Sequence, residues 1–268
     1  MPFYTDQLHR EVKIPLNPKR IVSLVPSQSE LLFDLGLDQK VIGITKFCNH
    51  PSKWFQTKAR VGGTKNLDSQ KIKTLNPDLI IANKEENLKD QIEELAKDFP
   101  VWISDVTDLA SALLMIEELG RITNTEGKAN NIIDQIVQNF NNFKPLSNTR
   151  LRIAYFIWRQ PFMSVGGDTF INDMLQHAGY NNVFKTRGRY PVIEISELSS
   201  LNCELILLSS EPYPFKEKHI DEIKNLLQSD IASAIKIKLV DGGMFSWYGS
   251  RLIKAPAYFK SLEEEIWI

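Results

Sequence analysis

The chain is poor in the residues that build metal frameworks and disulfide scaffolds. It has two cysteines, Cys48 and Cys203, and four histidines, His9, His50, His177 and His219. Two cysteines make neither a disulfide framework nor a CxxC metal site, so they read as free thiols in or near a core. No histidine pair has metal-site spacing, which argues against a bare zinc or manganese site, and no metal ligand is assigned. Charge of one sign is also lacking: 32 Lys and Arg face 33 Asp and Glu, a formal net charge of -1. That balance excludes the basic footprint of a nucleic-acid binder and the polybasic block of an anionic-membrane binder. No apolar run is long enough to span a bilayer. Residues 1–20, MPFYTDQLHREVKIPLNPKR, show no apolar h-region, cleavage site or lipid-attachment cysteine. If Met1 is the native start the expected compartment is the cytoplasm; if an export signal has been trimmed away it is the periplasm. The pairs Gly62–Gly63, Gly166–Gly167 and Gly242–Gly243 form no P-loop or dinucleotide fingerprint and read as turns. No Ser-His-Asp set or carboxylate pair stands out, so no catalytic residue is assigned and an enzyme is not expected.

What is present is one strand–turn–helix pattern, twice. RIVSLVPSQSELLFDLG (20–36) and LRIAYFIWRQPFMSVGGDTFINDMLQHAG (151–179) each pass from an apolar run through a polar or Pro-bearing turn into a helix that closes on Gly. At 268 residues, 43% apolar and 24% charged, the chain suits a soluble protein of one large domain or two lobes. Apolar runs at 21–25, 41–45, 78–82 and 101–103, and again at 151–156, 205–208 and 237–240, read as strands alternating with helices. That alternation predicts parallel sheets in both halves. Residues 47–64 read as loop. Ser27 or Ser29 is expected to cap the first helix, and Asp168 or Thr169 the helix before Gly179. Between the halves, 108–119 and 125–143 have helical spacing, and Ile132, Ile133, Ile136, Val137 and Phe140 form a stripe. The organisation expected is an α/β lobe at 1–107, a helical bridge at 108–145 and a second α/β lobe at 146–268. A cleft between two such lobes is where small ligands bind.

Five stretches carry a family resemblance, in order: RIVSLVPSQSELLFDLGL, VIGIT with its Cys48–Asn49–His50–Pro51 turn, RVGGTKNLDSQKIKTLNPDLIIA, SVGGDTFINDMLQHAGYNNVF and VDGGMFSWYGSRL. From about residue 14 onward the chain resembles the periplasmic substrate-binding proteins of metal-chelate ABC importers, which take cobalamin, ferric siderophores or haem. The resemblance implies two Rossmann-like lobes with parallel sheets joined by a long backbone helix, a class III periplasmic binding protein fold. It implies a monomer that hands a chelate to an ABC permease, with no resident cofactor. Cobalamin-binding members place tryptophans on ligand-facing loops. Here two of those loops read Gly63–Thr64–Lys65 and Ala82–Asn83–Lys84, and a third keeps Tyr190–Pro191. The acid that docks the importer in the first lobe falls at Gln70; in the second, Glu194 or Glu197 takes that place.

Loops at strand carboxyl ends carry ligands in α/β lobes. The candidates on them are Ser27 and Gln28 by hydroxyl and amide, and Phe47 by its ring, with helix capping and core packing as their alternatives. Trp158 and Arg159 follow the 151–156 strand, and Arg187, Arg189 and Tyr190 form a basic loop with an aromatic. Phe245, Trp247, Tyr248 and Arg251 surround a Gly turn, where Arg251 alternatively holds the turn itself. Aromatics supply flat contact area, and arginines pair with acidic groups. The expectation is thus a binding protein for a planar or multidentate chelate. The alternatives are a cytoplasmic chelate carrier or salvage protein of the same fold, a chelatase-like enzyme, and a sensor that docks a partner protein.

Overall fold

The computed structural model describes residues 1–146, 150–227 and 234–267. Its contacts divide the chain into two units. Unit 1 comprises Met1–Val106, Ala110–Gln138 and Trp247–Ile253; unit 2 comprises Thr107–Leu109, Asn139–Ser246 and Lys254–Ile268. The expected helical bridge is therefore no third body. Its helices α5 (Leu109–Thr123) and α6 (Glu126–Asn142) are shared out between the units.

Unit 1 opens with a small antiparallel pair, β1 (Phe3–Thr5) and β2 (Glu11–Lys13). Its main sheet holds β3 (Ile21–Ser23), β4 (Val41–Ile44), β5 (Ala59–Arg60), β6 (Leu79–Asn83) and β7 (Val101–Ser104). All neighbours are parallel, in the order β5-β4-β3-β6-β7. Helices α1 (Pro26–Asp34), α2 (Ser52–Thr57), α3 (Ser69–Leu75) and α4 (Lys89–Ala96) alternate with these strands. The central strands are buried along their whole length, as a parallel sheet requires. Val22, Leu24, Ile80 and Ile103 meet Ile72, Ile92 and Leu95 in one core. Each such side chain fully buried contributes about 1.5–3 kcal/mol.

Unit 2 repeats the plan with β8 (Arg152–Phe156), β9 (Asn181–Asn182), β10 (Leu205–Ser209) and β11 (Lys236–Val240), parallel in the order β11-β10-β8-β9. Its helices are α7 (Phe170–His177), α8 (Glu197–Ser200), α9 (Glu217–Leu226), α10 (Gly243–Ser246) and α11 (Ala255–Trp267). Phe156, Phe184, Ile206, Leu208 and Phe215 centre the core. Gly36 and Gly179, at φ +81 and +85, end α1 and α7 in the left-handed conformation that glycine adopts without a Cβ penalty.

Several details depart from the sequence reading. The 47–64 stretch is not all loop but contains α2 and β5. Val137 of the expected stripe on α6 is exposed, while Ala129, Ile132 and Ile136 are buried. Gly166 and Gly167 mark a close backbone approach: a Cβ on either would lie 2.3 Å from the Arg187 carbonyl or 2.1 Å from that of Lys185. No helix of the described residues is long and apolar enough to cross a membrane.

Candidate functional site

In each sheet the chain leaves the central strand in opposite directions. The switch point falls between β3 and β6 in unit 1, and between β8 and β10 in unit 2. Loops at the carboxyl ends of such strands form the ligand-facing edge of this topology.

At that edge of unit 1, α1 starts directly on Pro26 with Val25 as the capping residue and no side-chain cap. Proline is preorganised for that position. The expectation that Ser27 or Ser29 caps the helix is thus overturned. Ser29 Oγ instead lies 2.9 Å from the Val25 carbonyl and 3.1 Å from Cys48 Sγ. Ser27 and Gln28 are buried rather than presented on a loop, Gln28 completely. Its Nε2 donates to Ser104 Oγ at 2.5 Å, which also accepts from Asn83 Nδ2 at 3.0 Å. Asn83 Oδ1 accepts from the amides of Glu85 and Glu86 at 2.8 and 3.0 Å, and the Asn83 amide donates to Asn87 Oδ1 at 2.9 Å. Asn87 Nδ2 donates to the Thr64 carbonyl at 3.0 Å. The two loops without aromatics, around Thr64 and Asn83, are therefore tied together by buried amides.

Other unit 1 candidates reach the surface. Phe47 is 50% exposed, with Lys46 Nζ 5.1 Å from its ring centre, so it is not a core residue. The half-buried Trp247 has the His50 ring at 5.9 Å on one side and the Arg251 guanidinium 4.0 Å from its ring centre. Arg251 forms a fork with Glu30, Nε to Oε2 and Nη2 to Oε1, both at 2.9 Å. Ser250 donates to Asp34 one helical turn along α1. The arginine thus holds the turn against α1, and Tyr248 is buried.

In unit 2, Trp158 is 41% exposed and stands edge-on to Tyr213, 5.8 Å between ring centres. Tyr213 continues into Phe215 at 4.8 Å and His219 at 5.4 Å. This cluster escaped the sequence reading. Its signal was the EPYPF segment at the end of the 205–208 run, in the same position that drew attention to Trp158. His219 Nδ1 accepts from the Lys216 amide at 2.8 Å, and Nε2 lies 3.2 Å from the Tyr213 hydroxyl. The Lys216 amide fixes the proton of the neutral ring on Nε2. Burial, with Lys218 and Arg159 nearby, holds the His219 pKa below its ordinary value.

Arg159 is engaged by Glu222, Nε to Oε2 at 2.8 Å and Nη2 to Oε1 at 2.9 Å. Arg187 pairs with Glu197, whose Oε1 also accepts the Glu194 amide at 2.8 Å. One of the two proposed docking acids is thus already ion-paired, while Glu194 is exposed. Arg189 is exposed at φ +54; its amide donates to Asp168 and its guanidinium lies 5.9 Å from the half-buried Tyr190 ring. Phe245 is excluded as a contact residue because it is fully buried, 4.9 Å from Phe259 and 5.3 Å from Tyr155. The FSWYGSR segment divides accordingly: Phe245 and Ser246 count with unit 2, and Trp247 to Arg251 with unit 1. A separate pocket in unit 2, of about 310 Å³, is lined by Asp108, Asp168, Asn172 and Asp173 and by none of the candidates. Among the described residues no three His, Cys, Asp or Glu side chains converge to hold a metal ion.

The model of a family described as periplasmic binding protein matches residues 21–236. An uncharacterized ABC transporter substrate-binding lipoprotein of Bacillus subtilis (strain 168) is 25% identical over 260 residues, covering 93% of this chain and 81% of its own. A vitamin B12-binding protein of Vibrio parahaemolyticus is 24% identical over 196 residues, with coverages of 71% and 70%. The solved structure of a periplasmic haem-binding protein from Roseiflexus sp. RS-1 superposes with a TM-score of 0.77 at 15% identity, covering 91% of this chain and 99% of that one.

Proposed function

The chain belongs to the periplasmic binding protein family, and from that premise we propose that it is a non-catalytic substrate-binding protein that captures a metal chelate for an ABC importer. The relatives that match most of its length are named as binding proteins, one for an ABC transporter and one for vitamin B12. The observation that carries the reading is the set of aromatics left uncovered on strand-end loops. Phe47 and Trp158 expose half or nearly half of their surface, where core packing would hide them. Trp158 is backed by Tyr213, so it stands as a supported wall. Flat aromatic surface with a few polar groups suits a planar or multidentate chelate.

The ligand brings its own metal, and no resident cofactor is assigned. The working compartment is the one the family's name gives, the periplasm, and the partner is the permease of the importer. The protein acts as a monomer. The test is equilibrium binding of cyanocobalamin, haem and a set of ferric siderophores, followed by tryptophan fluorescence and calorimetry. Saturable one-to-one binding of one chelate, weakened by Trp158→Ala, is the expected result. Turnover of a chelate with no stable complex would favour an enzyme instead.

A further inference from the structure

The sequence assigns arginines to a ligand's acidic groups, yet in the structure three of the four named strand-end arginines are ion-paired within their own unit, while Arg189 is exposed beside the Tyr190 ring. Arg159 is forked by Glu222, Arg251 by Glu30, and Arg187 is paired with Glu197. Of the lysines in the two loops without aromatics, Lys65 donates to the Glu85 carbonyl and Lys84 pairs with Asp105 at 2.6 Å. A guanidinium forked by a carboxylate has spent one of its bidentate edges, and the pair carries no net charge. An incoming carboxylate then meets a dipole rather than a cation, and must either expel the glutamate or bind the remaining N–H groups beside a like charge. Neutral amide or hydroxyl groups suffer no such competition, because they hydrogen-bond to the outer edge of an intact pair or to the loop backbone.

From these pairings, and resting on the chelate-binding reading above, we infer that the ligand presents a charge-neutral, amide- or hydroxyl-bearing edge rather than free carboxylates. In unit 2 the surface is aromatic at Trp158 and Tyr213, with Arg159 neutralised beside them, and it discriminates by charge.

The experiment measures binding of two pairs of chelates to the full chain, each with a neutral and an anionic member. Cyanocobalamin, whose ring edge carries amides, is set against haem, whose edge carries two carboxylates. A neutral trihydroxamate iron complex is set against ferric citrate. The expected result is that, within whichever pair binds, the neutral member binds at least tenfold tighter and changes less than twofold between 50 and 300 mM salt. Glu222→Gln, checked for an unchanged melting transition, releases Arg159 and should raise affinity for the anionic member about tenfold relative to the neutral one. Tighter binding of the anionic member by the unaltered protein, with affinity falling as salt rises, overturns the inference and leaves the chelate-binding reading standing. Binding of none of the four overturns both.

Discussion

The two units share a strand plan and differ in what fills its functional edge. Unit 1 closes the carboxyl end of its sheet with buried amides and hydroxyls: Gln28, Asn83, Asn87 and Ser104 bond to one another and to loop backbone. Unit 2 closes the same end with rings, Trp158, Tyr213, Phe215 and His219, beside ion-paired arginines. A hydrogen-bonded network fixes backbone position, since each partner specifies direction as well as distance. Ring contacts tolerate small shifts and present surface. One edge is thus fixed by directional bonds, and the other is lined mainly by rings.

The largest effect should come from breaking the polar edge. Asn83→Ala removes four side-chain hydrogen bonds, to the amides of Glu85 and Glu86 and to the Ser104 carbonyl and hydroxyl. Leaving buried partners unmet costs about 1–3 kcal/mol each, so a loss of about 3 kcal/mol in urea unfolding is expected. A loss below about 1 kcal/mol would mean the network does not hold the edge.

The opposite outcome is expected for the aromatic edge. Tyr213→Ala should weaken chelate binding about tenfold, within the range of aromatic contacts, by withdrawing support from Trp158. Binding weakened only as much as stability is lost would erase the distinction between the two edges.

Acid should act on unit 2 through His219. Its folded pKa lies below the unfolded value, so the unfolded chain takes up the proton first. The stability it contributes is complete above about pH 6.5 and is lost as pH falls through the folded value. Melting temperatures across pH 8 to 5 should show this slope, and His219→Gln should flatten it.

The smallest effect concerns the thiols. Burial raises the pKa of Cys48, and that of Cys203 to about 11, so neither should alkylate in the native state near neutral pH. Rapid labelling of one would show that its unit opens locally.

The legibility of this chain follows the length of its elements. Long apolar runs such as 78–82 and 205–208 became β6 and β10 within a residue or so, because a strand buried on both faces has an almost uninterrupted apolar sequence. The two-residue strands β5 and β9 and the single-turn helices α8 and α10 are too short to show a period. The aromatics at 47 and 158 were legible as strand-end residues, and the structure exposes both. The arginines were not legible as paired: Glu222 lies 63 residues from Arg159, and Glu30 lies 221 from Arg251. Charge says that a partner is needed and never which one. Gln28 misled for a similar reason, since a polar side chain after a strand can serve the interior as well as a ligand.

The short segment Trp247–Ile253 has a consequence for how this protein can be cut. It follows β11 in the chain yet counts with unit 1, where Arg251 and Ser250 fasten it to Glu30 and Asp34. A gene fragment ending at Gln138 therefore encodes unit 1 with one of its pieces missing. Neither unit corresponds to a contiguous stretch of DNA, so neither can be transplanted as a single piece. A recombination that swaps one half for that of a relative must also carry these seven codons from far downstream.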